Sequence, residues 1–291
     1  MVYFAQQALN ALQLGSIYAL IALGYTMVYG VLVMINFAHG DIFMMGAFTC
    51  LVAALFLKLP FAGALVFTMG ITALMGMAVE RIAYRPLRNA PRMSAVITAL
   101  GVGLFLENAT LAISPYPQRV PALLKNTTWN FGGLAVSSVQ MVIVGLSIAL
   151  MIALDLLVRR SLWGLAMRAI SWDRDIVPLM GVPVARVVST TFAIGGGLGG
   201  AAGVMYAMAY PVIDPSMGIL VGWKAFISAV VGGIGNIRGA MLGGFILGGT
   251  EIFVAAFLPS TYRDFVGFTL LLCLLIVRPH GILGTPSLEK V

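Results

Sequence analysis

A few ionisable and amide side chains fall inside long apolar runs of this 291-residue chain, and they are where its chemistry must lie. His39 and Asp41 flank a polar break, Ile35-Asn36-Phe37-Ala38-His39-Gly40-Asp41, between two hydrophobic stretches. Glu107-Asn108 sits deep in another stretch, Lys224 opens a later one, and Asn236 lies in a second break. A charge among hydrocarbon is costly unless it is paired, neutral or facing water, so it marks a functional position by default. The chemistry expected of Asn36, His39, Asp41, Glu107, Asn108, Lys224 and Asn236 is recognition of a polar solute along a path. Simpler roles compete at several positions. Asp41 suits the start of the following helix, where an anion caps the backbone, and that role is preferred. His39 can pair with Asp41 or serve as a structural hydrogen bonder. Lys224 can snorkel or attract a substrate carboxylate, and Glu251 can pair with Lys224 or Arg263.

Other chemistry is excluded. The sequence holds no G-x-x-x-x-G-K-[ST], so it binds no nucleotide as a P-loop protein. Gly195-Gly196-Gly197-Leu198-Gly199-Gly200 fits G-x-G-x-x-G, but no strand precedes it and no acidic residue follows at the required distance. Helix packing accounts for it through small-xxx-small pairs, Gly196 with Gly200 and Gly199 with Gly203. Two histidines and two cysteines, far apart in sequence, make neither a metal site nor a nucleophilic one. No catalytic residue and no bound cofactor are expected.

The elements that position these residues are helices in a bilayer. The chain is 60% hydrophobic and 9% charged, and its mean hydropathy is +1.02. Soluble proteins carry roughly 25% charged residues. Nine apolar segments, 8–33, 41–57, 61–83, 93–113, 139–158, 187–209, 218–233, 239–258 and 263–278, approach the roughly 20 residues a spanning helix needs. The expected fold is all-α, a polytopic transmembrane bundle of about 8–9 spans with broken or short helices, forming one domain over 1–291. Alternation gathers 12 of the 17 basic residues on one face, including Arg81, Arg85, Arg159, Arg160 and Arg186. By the positive-inside rule that face is cytoplasmic, with the N-terminus outside and the C-terminus inside. The net charge of +7 is then an anchor for anionic lipid of the inner leaflet rather than a nucleic-acid footprint. The outer loop Ser114 to Val139 either receives a substrate-delivering protein or lids its own helices.

Two stretches echo each other. GYTMVYGVLVMINFAHGDIFMMGAF and GWKAFISAVVGGIGNIRGAMLGGFILGG each read as helix, polar break, helix, with Asn36 and Asn236 in matching places and both copies running in the same direction. Interrupted hydrophobic segments in corresponding halves point to a transport path; tight hairpins at the inner surface are the alternative. The inner loop 159–186 carries seven of the 27 charges. Within it Ser161 can start a short helix that Pro178 and Gly181 would end. Trp163, Met167 and Ile170 then form an apolar stripe, with Arg168, Asp173, Arg174 and Asp175 on the polar side. A soluble partner is preferred over the inner leaflet as what this stripe meets.

The blocks GSIYALIALGYTMVYG, MINFAHGD, ERIAYRPLR, AVVGGIGNIRGAMLGGFILG and RPHGILG closely resemble the LivH-type permeases of branched-chain amino acid ABC importers, over about residue 7 to the C-terminus. The resemblance implies a permease of the bacterial inner membrane that works beside a homologous LivM-type permease. It also implies two cytoplasmic ATPases that bind ATP and magnesium, and a periplasmic amino-acid-binding protein. It assigns ATPase contact to the loop, with Gly164, Arg168, Ala169, Asp173 and Gly181 matching the family pattern and Trp163 and Asp175 beside them. Ser171-Trp172-Asp173 departs from the Ala-Glu-Asp run usual there. Related permeases that carry urea, short amides or other small organic acids share these motifs.

Overall fold

The computed structural model describes residues 1–87, 90–174 and 176–284, the side chain of Arg92 excepted. All nine expected spans are helical. They are α1 (Val2–Leu32), α2 (His39–Leu55), α3 (Phe61–Val79), α4 (Arg92–Ile113), α5 (Ser138–Arg160), α7 (Val184–Ala209), α8 (Met217–Gly232), α9 (Ile237–Phe257) and α10 (Tyr262–Val277), with the short α6 (Leu162–Trp172) in the inner loop. Among the described residues, six helices are long and apolar enough to cross a membrane, and α2 and α8 are shorter apolar helices of 17 and 16 residues.

The helices divide by how much of them is covered. α1 and α7 are buried nearly all round, as expected of helices apolar on every face, and the other helices pack around them. α1 packs chiefly on α9, α7, α8 and α5, and α7 on α3 and α2. In lipid the hydrophobic effect does not favour helix pairing, so close backbone approach must hold the bundle. A methyl placed at Gly196 would strike the Thr72 carbonyl, which shows how closely α7 runs along α3. α4 and α5 leave most of their apolar surface outward.

The two ends differ. At one, the N-terminus of α1 bonds to the 128–137 hairpin, where the Gln6 side chain both donates to and accepts from the Ala135 backbone. That hairpin pairs β2 (Thr128–Phe131) with β3 (Leu134–Ser137), and the loops after α4 and α7 are tied by β1 (Gln118–Arg119) paired with β4 (Val212–Ile213). At the other end lie α6, the two breaks and most of the arginines. There Asp155 pairs with Arg159 at 2.8 Å and with Arg238 at 3.2 Å.

The two breaks take different forms. The second, 233–236, is a tight turn. Gly233 and Gly235 take positive φ values of 110° and 92°, which residues with a Cβ rarely adopt. Asn236 caps α9 by accepting from the Gly239 N–H at 3.2 Å and donates to the Leu283 carbonyl at 2.7 Å. The segment after α10 seals this turn, with Ile282 and Leu283 N–H groups donating to Val231 and Gly232 at 2.9 Å each. The first break, 33–38, has no glycine to fold it back. α1 ends with Val33 left-handed at φ 54°, and the chain then runs to the start of α2. Asn36 is buried there and accepts from the Tyr84 hydroxyl at 3.1 Å. Tyr84 is delivered by a π-helical turn, Glu80–Tyr84, that continues α3.

Candidate functional site

α2 starts against the middle of other helices. Gly40 packs on Gly218 and Gly222 of α8, and the Asp41 carboxylate sits between Gly218 and Gly103, the latter halfway along α4. A side chain at either glycine would occupy the space the carboxylate takes. Asp41 lies in the first turn of α2, where an anion suits the helix start, but it is not the N-cap residue. The residue before α2 is Ala38, no side chain caps it, and Asp41 Oδ1 is buried with no hydrogen-bond partner. His39 and Asp41 form no ion pair either, because they stand on different sides of α2. His39 faces Gly24 and Gly199, its ring edge-on to Tyr25 at 4.9 Å, and its Nε2 is also unpartnered.

A cleft of about 130 Å³ opens between α4 and α8 in front of Asp41. Gly103, Leu104 and Glu107 of α4 form one wall, Gly218, Gly222, Trp223 and Phe226 of α8 the other, and Tyr25, Phe37 and Asp41 the base. The aromatic rings touch one another, with Phe37 5.6 Å from Trp223 and 5.8 Å from Phe226, and Tyr25 6.2 Å from Phe226. Of the candidate path residues, the structure brings Asp41 and Glu107 to this cleft. Asn108 points elsewhere, exposed and donating to the Leu104 carbonyl at 2.8 Å. Consecutive helical residues point about 100° apart, and of this pair only Glu107 is turned to the cleft.

Lys224 follows Trp223 but turns away from the cleft lining. It is ion-paired with Glu251 at 3.1 Å and Asp264 at 2.9 Å, and Glu251 also accepts from Tyr18 at 3.0 Å. Of the partners left open for Glu251, the structure selects Lys224. This network joins α1, α8, α9 and α10 in one place.

α6 behaves as its cap residue implies. Ser161 Oγ accepts from the Gly164 N–H at 3.0 Å, and Gly164 packs so closely on Val158 that any Cβ would collide with its carbonyl. Arg168 donates to that same carbonyl. Asp173 Oδ1 accepts from the Ile176 N–H at 3.2 Å after the helix, and Gly181 takes φ 79° at the end of the Val177–Met180 turn. The expected stripe is corrected in part. Met167 and Ile170 are buried against the bundle, and only Trp163 of the three is exposed. The apolar surface left open is instead Leu162, Trp163, Leu165, Trp172, Leu179 and Met180, with Leu179 86% exposed. Ala169 is half-buried on the flank, and Asp175 lies outside the described residues. Sequence reasoning missed the aromatic lining of the cleft, although Trp223 and Phe226 at i, i+3 in an apolar helix were a visible signal. It also missed Tyr84, Tyr18 and Asp264.

Comparison with known proteins places these features in a family. Residues 7–275 match the family described as branched-chain amino acid transport system / permease component. The chain is 42% identical over 304 residues to the high-affinity branched-chain amino acid transport system permease protein LivH of Escherichia coli (strain K12), covering 100% of this chain and 98% of that one. It is 41% identical to the corresponding permease protein BraD of Pseudomonas aeruginosa, over 99% of this chain and 98% of that one. It is 27% identical to a probable branched-chain amino acid transport permease protein LivH of Methanocaldococcus jannaschii, over 94% and 91%.

Proposed function

This chain belongs to the family of permease components of branched-chain amino acid transport systems, and from that premise we propose that it carries leucine, isoleucine and valine through the inner membrane as one subunit of an ATP-driven importer. The arginine-rich end that holds α6 is cytoplasmic, and the end with the 128–137 hairpin receives a periplasmic amino-acid-binding protein. Two separate ATPase subunits bind ATP and magnesium and dock on α6 and the turn after it. A homologous LivM-type permease completes the path. The observation that carries this reading is the exposed apolar surface of 162–180 at the arginine-rich end, beside Arg168 and Asp173. Such a patch on the water-facing end of a bundle marks a protein contact. α6 is clamped to α5 through Gly164 and Arg168, so displacement of α6 moves a spanning helix. Closure of the ATPase pair then shifts the bundle between outward- and inward-open states, provided each state is bound differently.

Asp41 and Glu107 line the solute's path, with Asn36 and His39 shaping the start of α2. Lys224 and Asn236 serve the path indirectly, by holding α8 and α9. The test is uptake of radiolabelled leucine by cells expressing the chain with its partners, with and without the ATPases. ATPase-dependent uptake blocked by excess isoleucine or valine is expected. Assembly with the ATPases but uptake only of urea or short amides would move the substrate class and keep the machine.

A further inference from the structure

We propose that the cleft between α4 and α8 is an ammonium-binding station for the solute in transit, with Asp41 as its anion and the rings of Phe37, Trp223 and Phe226 as its apolar and cation-facing wall. The proposal rests on the transport reading above and gives that path a chemistry. Asp41 is 6% exposed, one of its oxygens has no donor, and it lines the cleft. A carboxylate oxygen left without a donor in so dry a place is expensive, and an N–H group arriving in the cleft relieves that cost. Glu107 stands one turn beyond Gly103 on the same wall and adds negative charge at the mouth. Aromatic rings within about 6 Å of a cation attract it through their faces and also suit a branched aliphatic side chain.

None of the described residues lining the cleft is basic. The nearby lysine, Lys224, is committed to Glu251 and Asp264. A zwitterion held by its ammonium group here therefore finds no cation of this chain for its carboxylate. The rim residues Leu100, Leu104 and Ile219 are exposed, so the cleft is open on the side where a second permease can supply that charge.

The experiment reconstitutes the complete importer in proteoliposomes and measures leucine moved per ATP hydrolysed. A change that merely weakens assembly lowers both quantities and leaves their ratio alone. Asp41→Asn lowers the ratio about tenfold, the worth of one charge-assisted hydrogen bond. Asp41→Glu restores part of it. Trp223→Leu, at a half-exposed position where the fold does not depend on the ring, lowers it about threefold. An unchanged ratio in both Asp41→Asn and Trp223→Leu overturns the station while wild-type leucine uptake leaves the transport reading standing. Absence of leucine uptake by the wild-type importer overturns both.

Discussion

The two polar breaks look alike in sequence and do opposite things in three dimensions. The break at Asn236 closes on itself. Its glycines turn the chain, Asn236 caps α9, and the segment 281–284 covers the turn with backbone hydrogen bonds. α8 and α9 emerge as a tight hairpin. The break at Asn36 stays open. α1 and α2 scarcely touch, Tyr84 holds Asn36 from another helix, and α2 begins against the middle of α4. The difference teaches that a shared helix–break–helix pattern specifies where regular structure stops, not what replaces it. Glycines that fold the chain back make a brace, whereas a break held from outside brings a helix terminus into the bundle and leaves a carboxylate at a cavity.

Three substitutions in the brace and one in the open break sharpen this contrast. The largest effect is expected at the far end of the hairpin. Lys224→Met leaves Glu251 buried with its main countercharge gone, and removing one partner of a buried ion pair costs about 3–5 kcal/mol. The purified protein should melt far lower in detergent. A melting temperature equal to wild type would show that the Lys224–Glu251–Asp264 network does not hold the hairpin. Next comes the turn itself. Asn236→Ala removes a helix cap and the exposed bond to the Leu283 carbonyl, for a loss of about 1–2 kcal/mol. Because this break is a brace, leucine moved per ATP should not change; a fall in that ratio with stability intact would erase the distinction between the two breaks.

Tyr84→Phe tests the open break. It removes the donor to buried Asn36, costing about 1 kcal/mol. Its signature differs from that of Asn236→Ala: leucine moved per ATP should fall along with stability, because the start of α2 and Asp41 shift with the break. Unchanged coupling in Tyr84→Phe would place the two breaks in one class after all.

How much of this was legible depends on how local each feature is. The nine apolar runs became helices because hydropathy and length act within a segment. The Ser161 start of α6 followed from i, i+3 geometry within one helix. The inward turn of Met167 and Ile170 was not legible, since an amphipathic stripe says which face is apolar and not whether the bundle or a partner covers it. Asp41 was legible only in part, for a related reason. Its place near a helix start suggests a cap, but its carboxylate occupies a niche made by glycines of α4 and α8, more than 60 residues away. The aromatic lining of the cleft unites α1, the first break and α8, which no periodicity connects.

The smallest effect expected is at the exposed face of the brace, and it separates packing from surface charge. Arg238 begins α9 and reaches Asp155 at 3.2 Å, with its side chain 59% exposed. Asp155 already has Arg159 one turn away at 2.8 Å, so loss of Arg238 leaves it paired. Exposed pairs contribute about 0.2–1 kcal/mol and less as salt rises. Arg238→Ala should therefore shift the melting temperature barely beyond error, and the shift should vanish in high salt. A large, salt-resistant loss would mean that α5 and α9 depend on this pair for their registration. The closed break would then be held by charge across helices rather than by its own glycines and cap.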